Sequence, residues 1–159
     1  MASGAGHPVR IEVAAPRAVA AVRASLLPAE VPRRFAHYLD QVYAASRAGG
    51  IRLDGQNIFV YRAGPVGATD VEFAVGVTAP FEPVGSVRPS ALPVGEVATT
   101  THWGDYAGLG DAHGAIVGWC AAHGRERTGT SWEVYGHWSD DPAQRRTDVY
   151  HLLRAAPVA

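Results

Sequence analysis

The chain has no lysine: all fourteen of its Lys and Arg positions are arginine. Schiff-base chemistry and lysine nucleophiles are therefore excluded, while arginine keeps its charge and lies flat on aromatic rings. Coding bias toward Ala, Arg and Gly explains this more simply than function does. Cysteine is almost missing too. Cys120 alone permits no internal disulfide, which suits a reducing cytoplasm. No run of eighteen apolar residues exists, so no membrane span is expected. The start, "MASGAGHPVR", lacks the apolar stretch of a secretory signal. A formal charge of −1 leaves no basic footprint, so no direct nucleic-acid contact is expected.

What is present is one globular domain's worth of chain, 159 residues with 47% hydrophobic content. It repeats itself. At a constant offset of 74, Gly50 meets Gly124, Gly55 meets Gly129, Ile58 meets Trp132, Val60 meets Val134 and Tyr61 meets Tyr135. Upstream, "VRIEVAAPRAVAAVRA" resembles "SVRPSALPVGEVATTT", each with a proline between two strand-like runs. Each half therefore reads strand, strand, helix, strand, strand. In the first helix Val31, Phe35, Leu39, Val42 and Ser46 recur at three- and four-residue steps, as Leu109, Ala112, Ile116, Trp119 and Cys120 do in the second. Gly50 and Gly124 fall where a helix end favours a left-handed residue. The expected fold is antiparallel α+β: two ββαββ repeats, about 9–78 and 86–155, in one domain over 9–156. Both helices are expected on one side, with a central cleft and a flexible N-terminus at 1–8.

Several candidate sites fail. "GDYAGLGDAHG" puts His113 where a dinucleotide fingerprint needs its third glycine. The seven histidines show no zincin spacing and no cysteine pair joins them, so neither a metal nor a cofactor is expected. His102, His113 and His123 read as surface or capping residues, and Cys120 as a buried structural thiol. "HWSD" holds His, Ser and Asp together, but adjacency in sequence does not build a triad.

Glu133 stands apart. In "TSWEVYGH" (130–137), read as a strand, Glu133, Tyr135 and His137 share one face and Trp132 and Val134 the other. Its repeat partner is Phe59, so one half sets a carboxylate where the other sets an apolar ring. Buried, that carboxylate needs a bonding hydroxyl, for which Tyr61, Tyr135 and Tyr106 are candidates. A flat cation stacked on the rings would relieve its charge. The alternative places Glu133 in solvent on a helix-free sheet surface, with Trp132 as the core residue.

"LPVGEVATTTHWGDYAGL", "SWEVYGHW", "TDVYHLL", "GQNIFVYR" and "DVEFAVGV" together resemble the GyrI-like small-molecule-binding domains, the effector-binding fold of BmrR- and Rob-type multidrug regulators. The resemblance covers roughly residues 9–155. It implies a pseudo-twofold pair of halves, an acidic residue deep in a cleft and a ring of aromatics that receives lipophilic cations. By motif the acid is Glu133, with Tyr135 its neighbour and Tyr106 the helix-start tyrosine; the repeat adds Phe59 and Tyr61 to the expected ring. Trp132, Trp119, Asn57 and His137 complete the candidate ligand set. The regulators add a DNA-binding domain, and no counterpart of it is expected within these residues. Some relatives without one hydrolyse cyclopropane-bearing alkylating antibiotics with a Trp, Glu and Tyr set, matched by Trp132, Glu133 and Tyr135. Three functions stay open: binding of an aromatic, cationic small molecule; hydrolysis with Glu133 as general base and Tyr135 assisting; and gyrase-inhibitor-like contact with an unidentified protein partner.

Overall fold

A computed structural model describes residues 6–156. The order of elements is the one the repeat implies: β1 (Arg10–Ala14), β2 (Ala18–Leu26), α1 (Val31–Gly49), β3 (Leu53–Ala63), β4 (Thr69–Val77), then β5 (Arg88–Ala91), β6 (Gly95–Trp103), α2 (Leu109–Ala122), β7 (Arg127–Tyr135) and β8 (Arg146–Leu153). Left-handed glycines follow both helices, Gly50 at φ 74° and Gly124 at φ 65°. A side chain there would be strained.

The chain forms two compact units, one from Pro16 to Leu92 and one from the segments up to Ala15 and from Pro93 onward. The first strand of each repeat thus joins the other repeat's unit. β1 pairs with β6, and β5 pairs with β2, both antiparallel. The unit boundaries fall on the two prolines flagged in the sequence, Pro16 and Pro93. Proline has no N–H to give to a ladder, so a strand pairing ends there cleanly.

In the Pro16–Leu92 unit the strands run β3-β4-β2-β5 and α1 packs on β2 and β4. Its helix buries Val31, Leu39, Val42 and Ala45. Phe35, expected on the apolar stripe, is 38% exposed, though its ring meets Phe59 at 5.7 Å. Tyr38 stacks on Phe73 at 4.9 Å, and Phe59 meets Phe73 edge-on. In the other unit the strands run β1-β6-β8-β7 and α2 lies against β6 and β8. Leu109, Ala112, Ile116 and Cys120 of α2 bury against Ala98, Val149 and Leu153. β8 alternates strictly, with Thr147, Val149, His151 and Leu153 buried. These four side chains share the face turned to α2.

Of the N-terminal stretch expected to be flexible, residues 1–5 lie outside the described residues. His7 and Pro8 are held on β6: the His7 ring bonds His102 at 3.0 Å, and the Pro8 carbonyl accepts from Thr100.

Candidate functional site

Register decides which side of the sheet Glu133 occupies. Cross-strand partners share a face, and Glu133 pairs with Val149, Tyr135 with Thr147, and Ser131 with His151. Because Val149 packs on α2, Glu133 points toward the helix and not toward a bare sheet surface. It is 5% exposed, which excludes the solvated alternative. Trp132 pairs with Tyr150 on the opposite face, where the two rings stack at 5.3 Å. Trp132 is core there, not a neighbour of the acid on its own face.

The buried carboxylate is well met within its unit. The Tyr135 hydroxyl donates to Oε1 at 2.5 Å, and His113 of α2 bonds Oε2 through Nε2 at 2.7 Å. His113 in turn bonds His151 of β8, Nδ1 to Nε2, at 2.8 Å. A carboxylate oxygen only accepts, so His113 carries its proton on Nε2. Its Nδ1 is then an acceptor, and His151 must donate from Nε2. The chain runs His151 to His113 to Glu133, with Tyr135 closing the far side. Two donors replace part of the water that burial strips from the carboxylate. His151 is pushed down to about 3, first by burial, then by His113 and Arg127, against the pull of Glu133. It is neutral at physiological pH.

Aromatic rings continue outward from Tyr135. Tyr106, in the 3-10 turn that opens α2, meets the Tyr135 ring edge-on at 5.5 Å and the Trp138 ring at 6.3 Å. Tyr106 is 39% exposed and Trp138 63%. Arg145 lies 3.8 Å from the Trp138 ring centroid and bonds Asp105 and the Ser139 carbonyl, which fixes that indole. Thr147, beside Tyr135 in register and fully buried, has a hydroxyl without a partner among the described residues.

The remaining sequence candidates divide as follows. Phe59 and Tyr61 lie on the α1 face of the other unit's sheet, paired with Phe73 and Val71, and Asn57 accepts a bond from Tyr43 at 2.6 Å. Trp119 sits in the last turn of α2, stacked on His123 at 4.0 Å. His137 is a correction: β7 ends at Tyr135, so His137 lies beyond the strand and is exposed. His113 and His102 are corrections too, since His113 is partly buried and bonded to the acid, and His102 is buried. His113 holds the acid, and buried His102 donates from Nε2 to the Asp105 carbonyl at 2.8 Å. His123 does cap, bonding the Trp119 carbonyl at the helix end.

Sequence reasoning missed His113, His151 and Trp138. Two signals were present. His113 falls four residues after Leu109 and three before Ile116, on the apolar stripe. His151 falls midway between Val149 and Leu153, on the buried register of its strand. It also missed Glu72, 3% exposed on β4, which accepts from Ser90 at 2.7 Å and from Arg62 at 2.5 Å, with Arg23 at 3.5 Å. A groove of about 560 Å³ runs beside it, lined by Arg23, Arg88, Ser86 and Ser90 among others.

With this geometry in hand, the chain's relatives are informative. The family model for the GyrI-like small molecule binding domain matches residues 7–154. The chain belongs to that family. Among solved structures it is similar to the EcmrR C-terminal domain, with a TM-score of 0.74 and 17% identity, over 94% of this chain and 99% of that one. It is also similar to SAV2435 bound to tetraphenylphosphonium, at TM-score 0.68 and 8% identity, over 92% and 94% of the two chains. A hydrolase from Listeria innocua matches at TM-score 0.60 and 10% identity, over 94% and 93%. At these identities the likenesses establish the α+β fold. No curated protein matches the chain. No helix among the described residues is long and apolar enough to cross a membrane.

Proposed function

We propose that this small-molecule-binding domain takes up lipophilic aromatic cations, with Glu133 supplying the charge and the Tyr135, Tyr106 and Trp138 rings the stacking surface. One observation carries the reading: a carboxylate 5% exposed is bonded by a phenol and an imidazole. Neither donor cancels its charge while His113 is neutral. An aromatic cation gains from that charge at short range, and each ring it covers adds about 0.5–2 kcal/mol. Charge and stacking are both loosely directional, so the site accepts varied shapes. That a neighbour of the same fold is seen with tetraphenylphosphonium supports the ligand class.

Tryptophan fluorescence quenching by paired lipophilic cations and neutral analogues tests this in the wild type and in Glu133→Gln. The carboxamide keeps size and loses charge. Cation affinity is expected to fall at least about tenfold, a loss of about 1.4 kcal/mol, while neutral ligands hold theirs. Equal losses for both would refute the charge argument.

A hydrolytic reading rests on the 2.5 Å contact between the Tyr135 hydroxyl and Glu133. A carboxylate general base and a phenol that polarises a leaving group need that proximity. Mass spectrometry of a strained cyclopropane electrophile incubated with the protein decides it: catalytic formation of the water adduct supports turnover, and stoichiometric protection rejects it.

A further inference from the structure

The pair His113–His151 does more than hold Glu133 in place. Three groups in a row, His151 Nε2 to His113 Nδ1 at 2.8 Å and His113 Nε2 to Glu133 Oε2 at 2.7 Å, form a continuous hydrogen-bonded chain. With both rings neutral and Glu133 ionised, every link has one donor and one acceptor only if each histidine is protonated on Nε2. One added proton leaves the chain unbroken. It enters at the outer nitrogen of His151, Nδ1; the Nε2 proton of His151 passes to His113 Nδ1. His113 is then an imidazolium donating from both nitrogens, and His151 is a neutral ring accepting at Nε2. A second proton would have to make His151 cationic beside cationic His113, and would leave their link without an acceptor.

We infer that His113 is the positioning residue that couples this site to protons: one proton taken up at His113 neutralises Glu133, so a proton and a cationic ligand exclude each other. The inference rests on the cation-binding reading above, and adds the regulation of that site. Reciprocity follows, since whatever a proton does to cation affinity the cation does to proton affinity.

The groups facing His113 support a single-proton device. From β7 come Glu133, which attracts the proton, and Tyr135, which stays bonded to the opposite oxygen. From β8 comes His151, whose own charging is opposed by burial and by Arg127. From β6 comes His102, on the same face by its register with Thr147, and its ring is tied to His7 and the Asp105 carbonyl. Asp111 lies two residues back on the same helix and acts on His7. Among these, Glu133 alone is both anionic and bonded to the His113 ring.

Two measurements test this, one without ligand. Nitrogen-15 NMR of the imidazoles during an acid titration should show His113 gaining one proton. His151 should stay neutral and change its protonated nitrogen from Nε2 to Nδ1. Simultaneous charging of both rings, or a His151 that keeps its tautomer, would overturn the inference. The second is calorimetry of tetraphenylphosphonium binding in buffers of different ionisation enthalpy. With His113 protonated, one proton should leave per cation bound, and affinity should fall by about tenfold per pH unit of acidification. In His113→Gln the amide still donates to Glu133 but cannot titrate, so the pH slope of whatever affinity remains should vanish. An unchanged slope in that variant overturns the inference. Absence of cation binding at every pH refutes the ligand reading instead, and leaves the NMR result to decide the proton chain.

Discussion

Two glutamates of this chain are equally buried, and their surroundings treat them in opposite ways. Glu72, on the central β4, is met by the Arg62 and Arg23 guanidiniums and the Ser90 hydroxyl. Burial alone would raise its pKa, but those three partners overcome that and hold it below the ordinary carboxylate value. Its charge is answered where it stands. Glu133, on β7, is met in its unit by a phenol and an imidazole; two hydrogen-bonding rings stand where Glu72 has guanidiniums. Burial therefore does not by itself mark a functional acid. Glu72, answered by two arginines and a serine, serves the fold, whereas Glu133 is the acid that the proposed function uses.

The largest effect expected from this contrast is a dependence of stability on acid. His151, ordinarily near 6.5, is lowered to about 3 in the fold, so the unfolded chain binds the extra proton between those values. Stability from this group is complete above 6.5 and drains away as the pH falls toward 3. The limit is about 5 kcal/mol. Glu72, also lowered, adds a loss of the same sign at more acid pH. Urea denaturation from pH 7 to pH 4 should show the decline, and His151→Gln should flatten it; an equally steep decline in the variant would contradict the assignment.

Arg62→Met should cost about 2 kcal/mol, because it strips the closest cation from a buried carboxylate while Arg23, 73% exposed, compensates weakly. His113→Gln, which keeps a donor on Glu133, should change stability by less than about 1 kcal/mol. Denaturant midpoints measured side by side check both. If the two variants cost the same, the distinction between the acids is lost. Tyr135→Phe should cost about 1 kcal/mol for one hydrogen bond and weaken cation binding less than Glu133→Gln does. Smallest of all is the effect at Cys120. Its thiol is buried in the α2 core and pushed up first by burial, so labelling by a thiol reagent should proceed only as fast as the fold opens.

The repeat was enough to lay out the order of elements, because matching glycines and apolar positions recur at one offset in both halves. It was not enough to say which strands pair. β1 and β5 are short, with five and four residues, and nothing local in them distinguishes a partner in one repeat from a partner in the other. Glu133 was legible because a poor strand former sat in a strand of large apolar residues, with a tyrosine two positions on. Its histidine partner was not. A lone histidine serves caps, surfaces and buried networks alike, and His113 meets Glu133 only through packing of α2 on the sheet. Glu72 was hidden for a related reason: Arg62 follows from the adjacent hairpin, but Arg23 and Ser90 reach it only across strand pairings the sequence does not display.

The contrast between the two acids is tested most directly by a crossed measurement on Glu72→Gln and Glu133→Gln, scoring unfolding free energy and affinity for a lipophilic cation in each. The account predicts that Glu72→Gln loses about 2 kcal/mol of stability and keeps its affinity, while Glu133→Gln keeps its stability and loses at least about tenfold in affinity. Two variants that both unfold more easily, and both still bind the cation, would contradict it.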